Sequence, residues 1–321
     1  MNVYAIDLDG SIVGQPFMQK LLADRAARVI AATDLAPRLR IVASRAARAD
    51  LEKRIAAAMD PHMHGAPSSS RNSHAVPIVF YGSGDFHHIT VCLIERHVEP
   101  LTVVQIDNHP DWVTFPATLN CGSWVNHALK LPRVAQVVTL GPTGNDLEWP
   151  ELKAGNLRAV VEGRLKIVPW RKTRSRVFGR YGDSACWRQR GRWLEWFDAS
   201  TASRAEMLAQ LVRDIPTDHV YVTIDKDALV ATEATTNWDQ GCMRLEDIES
   251  LVAMLAREKR LVGIDVCGDH SPPQFRDLFR RTLSYFDRAR TEPTVQELAV
   301  NASTNARLLD RLAALTTEFR A

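Results

Sequence analysis

Cysteine is scarce in this chain of 321 residues: five, at 92, 121, 186, 242 and 267, an odd number with no CxxC pair. That argues against a disulfide scaffold and against a structural zinc finger. Long hydrophobic runs are missing too, since no apolar stretch approaches the roughly 20 residues that cross a bilayer. Nor is there an excess of one charge. Forty Lys+Arg face 38 Asp+Glu for a net +2, so no global field directs the chain to nucleic acid or a membrane. The opening MNVYAIDLDG has neither a basic nor an apolar leader segment, and no secretory signal is expected there. No internal repeat or long low-complexity tract is present. With 45% hydrophobic and 24% charged residues, what remains has the composition of a reduced, cytoplasmic α/β protein.

Short β-branched runs alternate with longer stretches that carry Leu, Ala and Val at three- and four-residue spacing. Strands are predicted at Val3–Ile6, Arg40–Val42, Pro77–Tyr81, Leu101–Ile106, Val134–Leu140, Leu165–Pro169, His219–Ile224 and Leu261–Val266. Helices are predicted at Phe17–Ala31, Ser44–Met59, Ala202–Asp214, Leu245–Arg257 and Asn305–Phe319. Strands apolar on both faces and separated by helices imply a largely parallel sheet covered on both sides. The ligand site of such a sheet lies beyond the carboxyl ends of its strands. Two segments break the pattern. Asp60–Ser73, which includes His62 and His64, is rich in Pro, Gly and Ser and reads as a solvated surface loop. Arg164–Arg192 holds ten Lys/Arg against the single acid Asp183, with Trp170, Phe178, Tyr181 and Trp187 among them. Its plain reading is a solvated face with aromatics tucked against the domain; a clamp for an acidic peptide or nucleic acid is the alternative.

Three motifs follow predicted strands. IDNHPDW (106–112) places Asp107, His109 and Asp111 at alternate positions, which in an extended chain share one side. VTIDKDAL (222–229) does the same for Asp225 and Asp227, turning Lys226 away. GSGDFHHIT (82–90) is a Gly-punctuated turn delivering His87 and His88. Four carboxylates at neighbouring strand ends repel one another unless cations compensate, and two divalent ions would balance the charge. Oxygen and imidazole donors without thiolate suit a hard ion such as Mn²⁺.

These residues carry a family resemblance. GDFHHIT resembles the GGDHSIT segment of arginases and agmatinases, IDNHPD resembles their DAHxD, and TIDKDAL their SxDxDxxDP. CGSWVNHAL (121–129) is similar to their HGxxxxxAL, and VGIDVCGDHSPP (262–273) to the strand near their C-terminus. The resemblance is colinear from about residue 77 to 275. It implies the ureohydrolase fold, a three-layer α/β/α domain spanning 1–321 around a largely parallel sheet, with the basic Trp-rich insert at about 164–196. It also implies two Mn²⁺ per chain, with His87 and Asp111 on one ion, His109 and Asp227 on the other, and Asp107 and Asp225 bridging.

The chain departs from the family on the substrate side. Val230-Ala231 replaces the family's DP, Cys121 stands where the family has its catalytic His, and the late Glu that holds the substrate's cation falls at Gly268 or Asp269. The expected activity is hydrolysis of a guanidino or amidine C–N bond, releasing urea from a free or peptide-bound arginine-type substrate. The peptide case is similar to ureohydrolase-like enzymes that act on arginine within peptides. On this reading Asp227 relays a proton, and Cys121, His88 or His127 completes the transfer. A thiol beside two cations is expected to be more thiolate-like than a buried structural one. Asp269 and Asn126 are the expected substrate-binding residues. No membrane or nucleic-acid partner is expected, and a homo-oligomer is compatible with the resemblance. Two other classes stay open: a single-metal deacetylase-like amidohydrolase of the same fold, to which the tandem His87-His88 points, and a non-catalytic metal-binding relative. Finally, IDLDGSI (6–12) resembles the DxDGT of haloacid-dehalogenase phosphatases, but its plain reading is a strand and a turn.

Overall fold

The computed structural model describes residues 2–59, 76–143, 145–200, 204–272 and 293–318. In chain order the first half contains β1 (Asn2–Asp7), α1 (Pro16–Ala23), β2 (Ala27–Ala31), α2 (Ala36–Leu39), α3 (Arg45–Met59), β3 (Pro77–Phe80), α4 (Thr90–Ile94), β4 (Leu101–Ile106), α5 (Trp124–Ala128) and β5 (Val134–Leu140). The second half contains α6 (Leu157–Val161), β6 (Leu165–Val168), β7 (Arg174–Arg176), β8 (Trp187–Arg190), β9 (Trp193–Trp196), α7 (Arg204–Arg213), β10 (His219–Asp225), α8 (Leu245–Glu258), β11 (Arg260–Cys267) and α9 (Val295–Glu318).

Eight strands form one sheet in the order β2-β1-β3-β11-β10-β4-β5-β6, and every pairing in it is parallel. Parallel strands need helical crossovers, which cover both faces. Two apolar layers result. Tyr4, Val79 and Val103 point to the side of α2–α6, while Val3, Ile78 and Val104 point to the side of α1, α7, α8 and α9. All six residues of β4 are buried, as expected for a strand with no solvent face. Helix α8 shows how its partners seat: Leu245, Ile248, Leu251, Val252 and Leu255 form its buried stripe, and the Asp247 carboxylate accepts from Arg244 N at its start. No helix among the described residues is long and apolar enough to cross a membrane.

Two predicted elements are corrected. The helix predicted over Phe17–Ala31 stops at Ala23. Arg25 takes φ +55°, and the β-branched Val29-Ile30 lie in β2, which pairs with β1. Arg40–Val42 is not a strand: Ile41 has φ +65°, and Val42 makes only an isolated bridge to Asn120. Arg40 turns inward instead, donating to Asp85 (2.6 Å), Asp9 (3.3 Å) and Ser271 Oγ (2.7 Å). The IDLDG segment is the strand and turn of the plain reading, with Gly10 N donating to Asp7 Oδ1 and Asp9 buried against Arg40. The segment Asp60–Ser73, with His62 and His64, lies outside the described residues.

Candidate functional site

The three motifs converge at the carboxyl ends of β3, β4 and β10, which are near-neighbours in the sheet, but not by the extended geometry that alternate spacing assumes. After β4 the chain bends at Asn108-His109, and Asp111 has φ +48°. After β10, Lys226–Ala228 is a turn of 3₁₀-helix, and Asp225 caps it by accepting from Asp227 N (3.1 Å). His87 sits in another 3₁₀ turn, Gly84–Ile89. Local bends, rather than strand alternation, aim these side chains.

Each group is oriented by buried partners. Tyr81, Tyr221, Thr90 and Thr223 all donate to Asp265, a carboxylate in the middle of β11, with Thr223 Oγ1 at 2.6 Å. Having spent its proton there, Thr223 Oγ1 can only accept from His87 Nε2 (2.9 Å). This fixes the hydrogen of a neutral His87 on Nε2 and leaves the Nδ1 lone pair facing Asp107 (3.0 Å), Asp111 (3.3 Å) and Asp225 (3.5 Å). His109 is arranged the same way. Its Nε2 meets Asp239 (2.9 Å), and its Nδ1 meets Asp227 (2.9 Å) and Asp107 (3.5 Å). Gln105, held by Thr139, donates to Asp107 (2.6 Å) and Asp111 (3.2 Å). Trp124 Nε1 donates to Asp111 (2.6 Å), and Asn108 N to Asp227 (3.0 Å).

Burial opposes ionisation throughout this cluster. Together with the charge of Asp107 it pushes Asp111 up to about 8, and it raises Asp225 as well. Asp227 is raised by burial and by both Asp225 and Asp107. Asp107 alone ends far below the usual carboxylate range, because hydrogen bonds from His109 and His87 outweigh its burial. Both imidazoles are driven well above their ordinary value, the carboxylates overcoming burial. Four carboxylates buried together, compensated only by protons on two imidazoles whose Nδ1 atoms would otherwise turn lone pairs toward them, make an arrangement that cations could take over. Potential ligand atoms of His87, Asp107 and Asp111, and of Asp107, His109 and Asp227, lie within 4.8 Å of one another in each group. The residues fit a metal. Because Thr223 sets the tautomer of His87, Thr223→Val is expected to weaken metal affinity on the order of ten- to a hundred-fold, with Thr223→Ser retaining it. Calorimetric titration reads this, and equal affinity in all three proteins would remove the positioning role.

The cluster forms the floor of a cavity of about 240 Å³. Trp112, Val113, Phe115, Cys121 and Trp238 are among its walls, and Asp146 and Lys153 also line it. Cys121 therefore stands at the site, but its thiol is pushed well above its ordinary range by burial and by Asp111 and Asp85. Several expected residues lie elsewhere. Asp269 does not line the cavity; its buried carboxylate takes Lys226 Nζ (2.5 Å), Gln15 (3.0 Å) and Asn305 (3.2 Å). Asn126 is engaged with Val113 O and Asn156, and with His127 it lines a separate hollow behind the Val113–Ala117 loop. His88 is buried and does not line the cavity. The substrate-side roles expected of Asp269, Asn126, His127 and His88 are thus not supported by position. Gly268 is equally unable to carry an anchoring acid: it has φ +92°, and a side chain there would run into Asp225 and Lys226. Sequence reasoning missed Asp239, Gln105, Trp124 and Trp238. It also passed over Asp265, although an acid inside the apolar run VGIDV was a visible signal.

A sheet of eight parallel strands with a His/Asp cluster at its carboxyl edge defines an α/β protein of the three-layer type with a candidate metal site. The family model described as "Arginase family" matches residues 28–274, and this chain belongs to that family. An uncharacterized protein of Thermotoga maritima is 27% identical over 198 residues, or 62% of this chain and 60% of that relative. The match thus spans about three-fifths of the length of that curated relative. Among solved structures, arginase from Bacillus subtilis superposes with TM-score 0.56 at 12% identity, covering 98% of each chain. Proclavaminate amidino hydrolase from Streptomyces clavuligerus gives 0.53 at 16% identity, covering 98% of this chain and 92% of that one. Agmatine ureohydrolase of Thermoplasma volcanium gives 0.54 at 15%, with 99% and 89% covered. These likenesses establish the fold.

Proposed function

We propose that this chain is a binuclear, manganese-dependent hydrolase of a guanidino C–N bond, acting on a free or peptide-bound arginine-type substrate. The observation that carries the reading is the placement of Asp107. One of its oxygens is 3.0 Å from His87 Nδ1 and the other 3.5 Å from His109 Nδ1, which is the placement a bridging carboxylate needs. His87 and Asp111 would hold one ion, His109 and Asp227 the other, with Asp107 and Asp225 shared; oxygen and nitrogen donors favour a hard cation. When bound, the ions would supply hydroxide at neutral pH by lowering the pKa of water to about 7.

The chain's own residues do the rest. Trp238 and Phe115 line the cavity and would supply cation–π contacts to a planar guanidinium, in place of the anchoring acid that Gly268 cannot bear. Asp227, 2.9 Å from His109, would take a proton from the nucleophile and pass it to the leaving amine. Asp239 holds His109 in the tautomer this requires. Cys121, which lines the cavity beside Asp111, would be a donor toward the leaving group. The test is metal analysis of the purified, manganese-loaded protein alongside urea release from guanidino compounds, free and within peptides, for wild type and Cys121→Ala. Two ions per chain with urea release are expected, and a turnover lowered by about ten- to a thousand-fold in the variant. One zinc per chain with deacylation of acyl-lysines would replace this reading by the deacetylase-like one. Two ions without urea from any guanidine would end it.

A further inference from the structure

The basic Trp-rich segment builds a small sheet of its own. Strands β7, β9 and β8 pair antiparallel, so directly opposed residues share a face. The row Ser175–Leu194–Gln189 faces inward, and Trp187 and Trp196 are buried with it. Trp196 meets Trp187 edge-on at 4.9 Å and Trp112 at 6.2 Å. Trp112 lines the catalytic cavity.

The outward rows are Arg174–Glu195–Arg188 and Arg176–Trp193–Arg190. Four guanidinium groups thus share one face with one carboxylate, and like charges set opposite one another on neighbouring strands are unfavourable. None of the four arginines is within ion-pair distance of an acid among the described residues. Three are held by stacking: Arg174 lies 4.2 Å and Arg176 5.3 Å from the Trp193 ring centroid, and Arg188 lies 6.0 Å from that of Phe197. The face touches the segment at the cavity rim through Arg176, 5.7 Å from the Trp149 ring centroid. Segment 145–153 supplies Asp146 and Lys153 to the cavity and is pinned to the small sheet by Arg176 N on Glu148 O (2.8 Å), Tyr181 Oη on Glu151 (2.6 Å) and Trp149 against Phe178 (6.1 Å).

A preorganised array of unpaired cations with an apolar fringe (Phe178 and Phe197, 59% and 46% exposed) fits an anionic polymer. Two guanidinium groups already stack at the Trp193 ring, which leaves less of it as a platform for bases. Among anionic polymers, a polypeptide is the one that carries alkyl guanidinium groups. We infer that the outer face of β7–β9–β8 docks an acidic stretch of a polypeptide whose arginine side chain enters the adjoining cavity. This rests on the guanidine-hydrolase reading for the second half of the statement, while docking can be measured apart from it.

The probes are two fluorescein-labelled peptides with a single arginine, one flanked by glutamates and one by glutamines at the same positions, titrated into the manganese-loaded full chain and read by anisotropy. The glutamate peptide is expected to bind on the order of tenfold tighter at low salt, an advantage largely lost near ~0.5 M salt, where the screening length falls to a few ångströms. Arg188→Gln/Arg190→Gln, which leaves the Trp193 stacks intact, should bring the two peptides to within about twofold of each other. Its thermal midpoint and its urea release from small free guanidines should stay unchanged. Arg174→Gln/Arg176→Gln is the second variant and should do the same to the peptides. Equal affinity for both peptides in wild type, or an undiminished preference in both variants, overturns the docking face. A single-stranded oligonucleotide that binds tighter than the glutamate peptide overturns it in favour of nucleic acid. If glutamate-peptide binding behaves as stated but no guanidine yields urea, the docking stands and the hydrolase reading alone fails.

Discussion

Asp107→Asn is expected to abolish binding of both ions and with it all hydrolysis. Asp107 is the carboxylate with an oxygen facing each imidazole, 3.0 Å from His87 Nδ1 and 3.5 Å from His109 Nδ1. An amide of the same shape removes one negative charge and turns one oxygen into a donor that no cation can use. The loss should exceed the roughly ten- to hundred-fold that follows from removing an outer partner of a ligand. A pH dependence accompanies it. In the ion-free protein both histidines are held well above their ordinary pKa by the surrounding carboxylates, against the pull of burial. They therefore carry protons at neutral pH that binding must displace, so affinity should rise with pH. Manganese titrations in two buffers of different ionisation enthalpy, with metal analysis of the purified variant, check both statements. Full occupancy by two ions in Asp107→Asn would sink the bridging assignment.

The second large effect is on stability. Lys226 is fully buried, and its ammonium meets Asp269 at 2.5 Å. Asp269 itself is only 2% exposed and has Gln15 and Asn305 as its other partners. Lys226→Met leaves a buried carboxylate with neutral donors alone, and breaking such a pair from one side typically costs about 3–5 kcal/mol. Adding Asp269→Asn should recover much of that loss, because the uncompensated charge disappears with its partner. Urea unfolding of wild type, single and double variants measures it. A single variant within about 1 kcal/mol of wild type would show that the pair is solvated or already neutral.

Seven of the eight strands predicted from apolar β-branched runs lie within the parallel sheet, since burial on both faces leaves a continuous hydrophobic signature. β2 was hidden because Leu22, Ala26 and Ile30 keep a four-residue, helical spacing across the break at Arg25. Arg40–Val42 misled in the opposite sense, its apolar Ile-Val pair serving a kinked connection around a buried arginine. The metal-side residues were legible as motifs following strands, although the reason given, side-chain alternation, was not how the chain arranges them. Asp269 and Asn126 could not be placed by spacing at all. Whether a polar residue faces the cavity or a neighbouring element is decided by partners such as Lys226 and Asn156, far away in sequence. Asp239 reaches His109 from 130 residues away, a separation no local pattern spans.

The two glycines beside Asp225 bear on how this branch could change. A side chain at Gly84 would approach the Asp225 carboxylate to 2.6 Å, and one at Gly268 would meet the same group from the other side. Asp225 is thus gripped between two stretches of bare backbone. A glutamate introduced at 268 would collide with Asp225 before it could reach the cavity. An anchoring acid at that point of the chain would need Lys226, Asp269 and the β11 turn to be rebuilt together. Substitution at 268 alone therefore cannot supply a carboxylate to the cavity, whereas Phe115 and Trp238 at its walls are open to replacement one at a time.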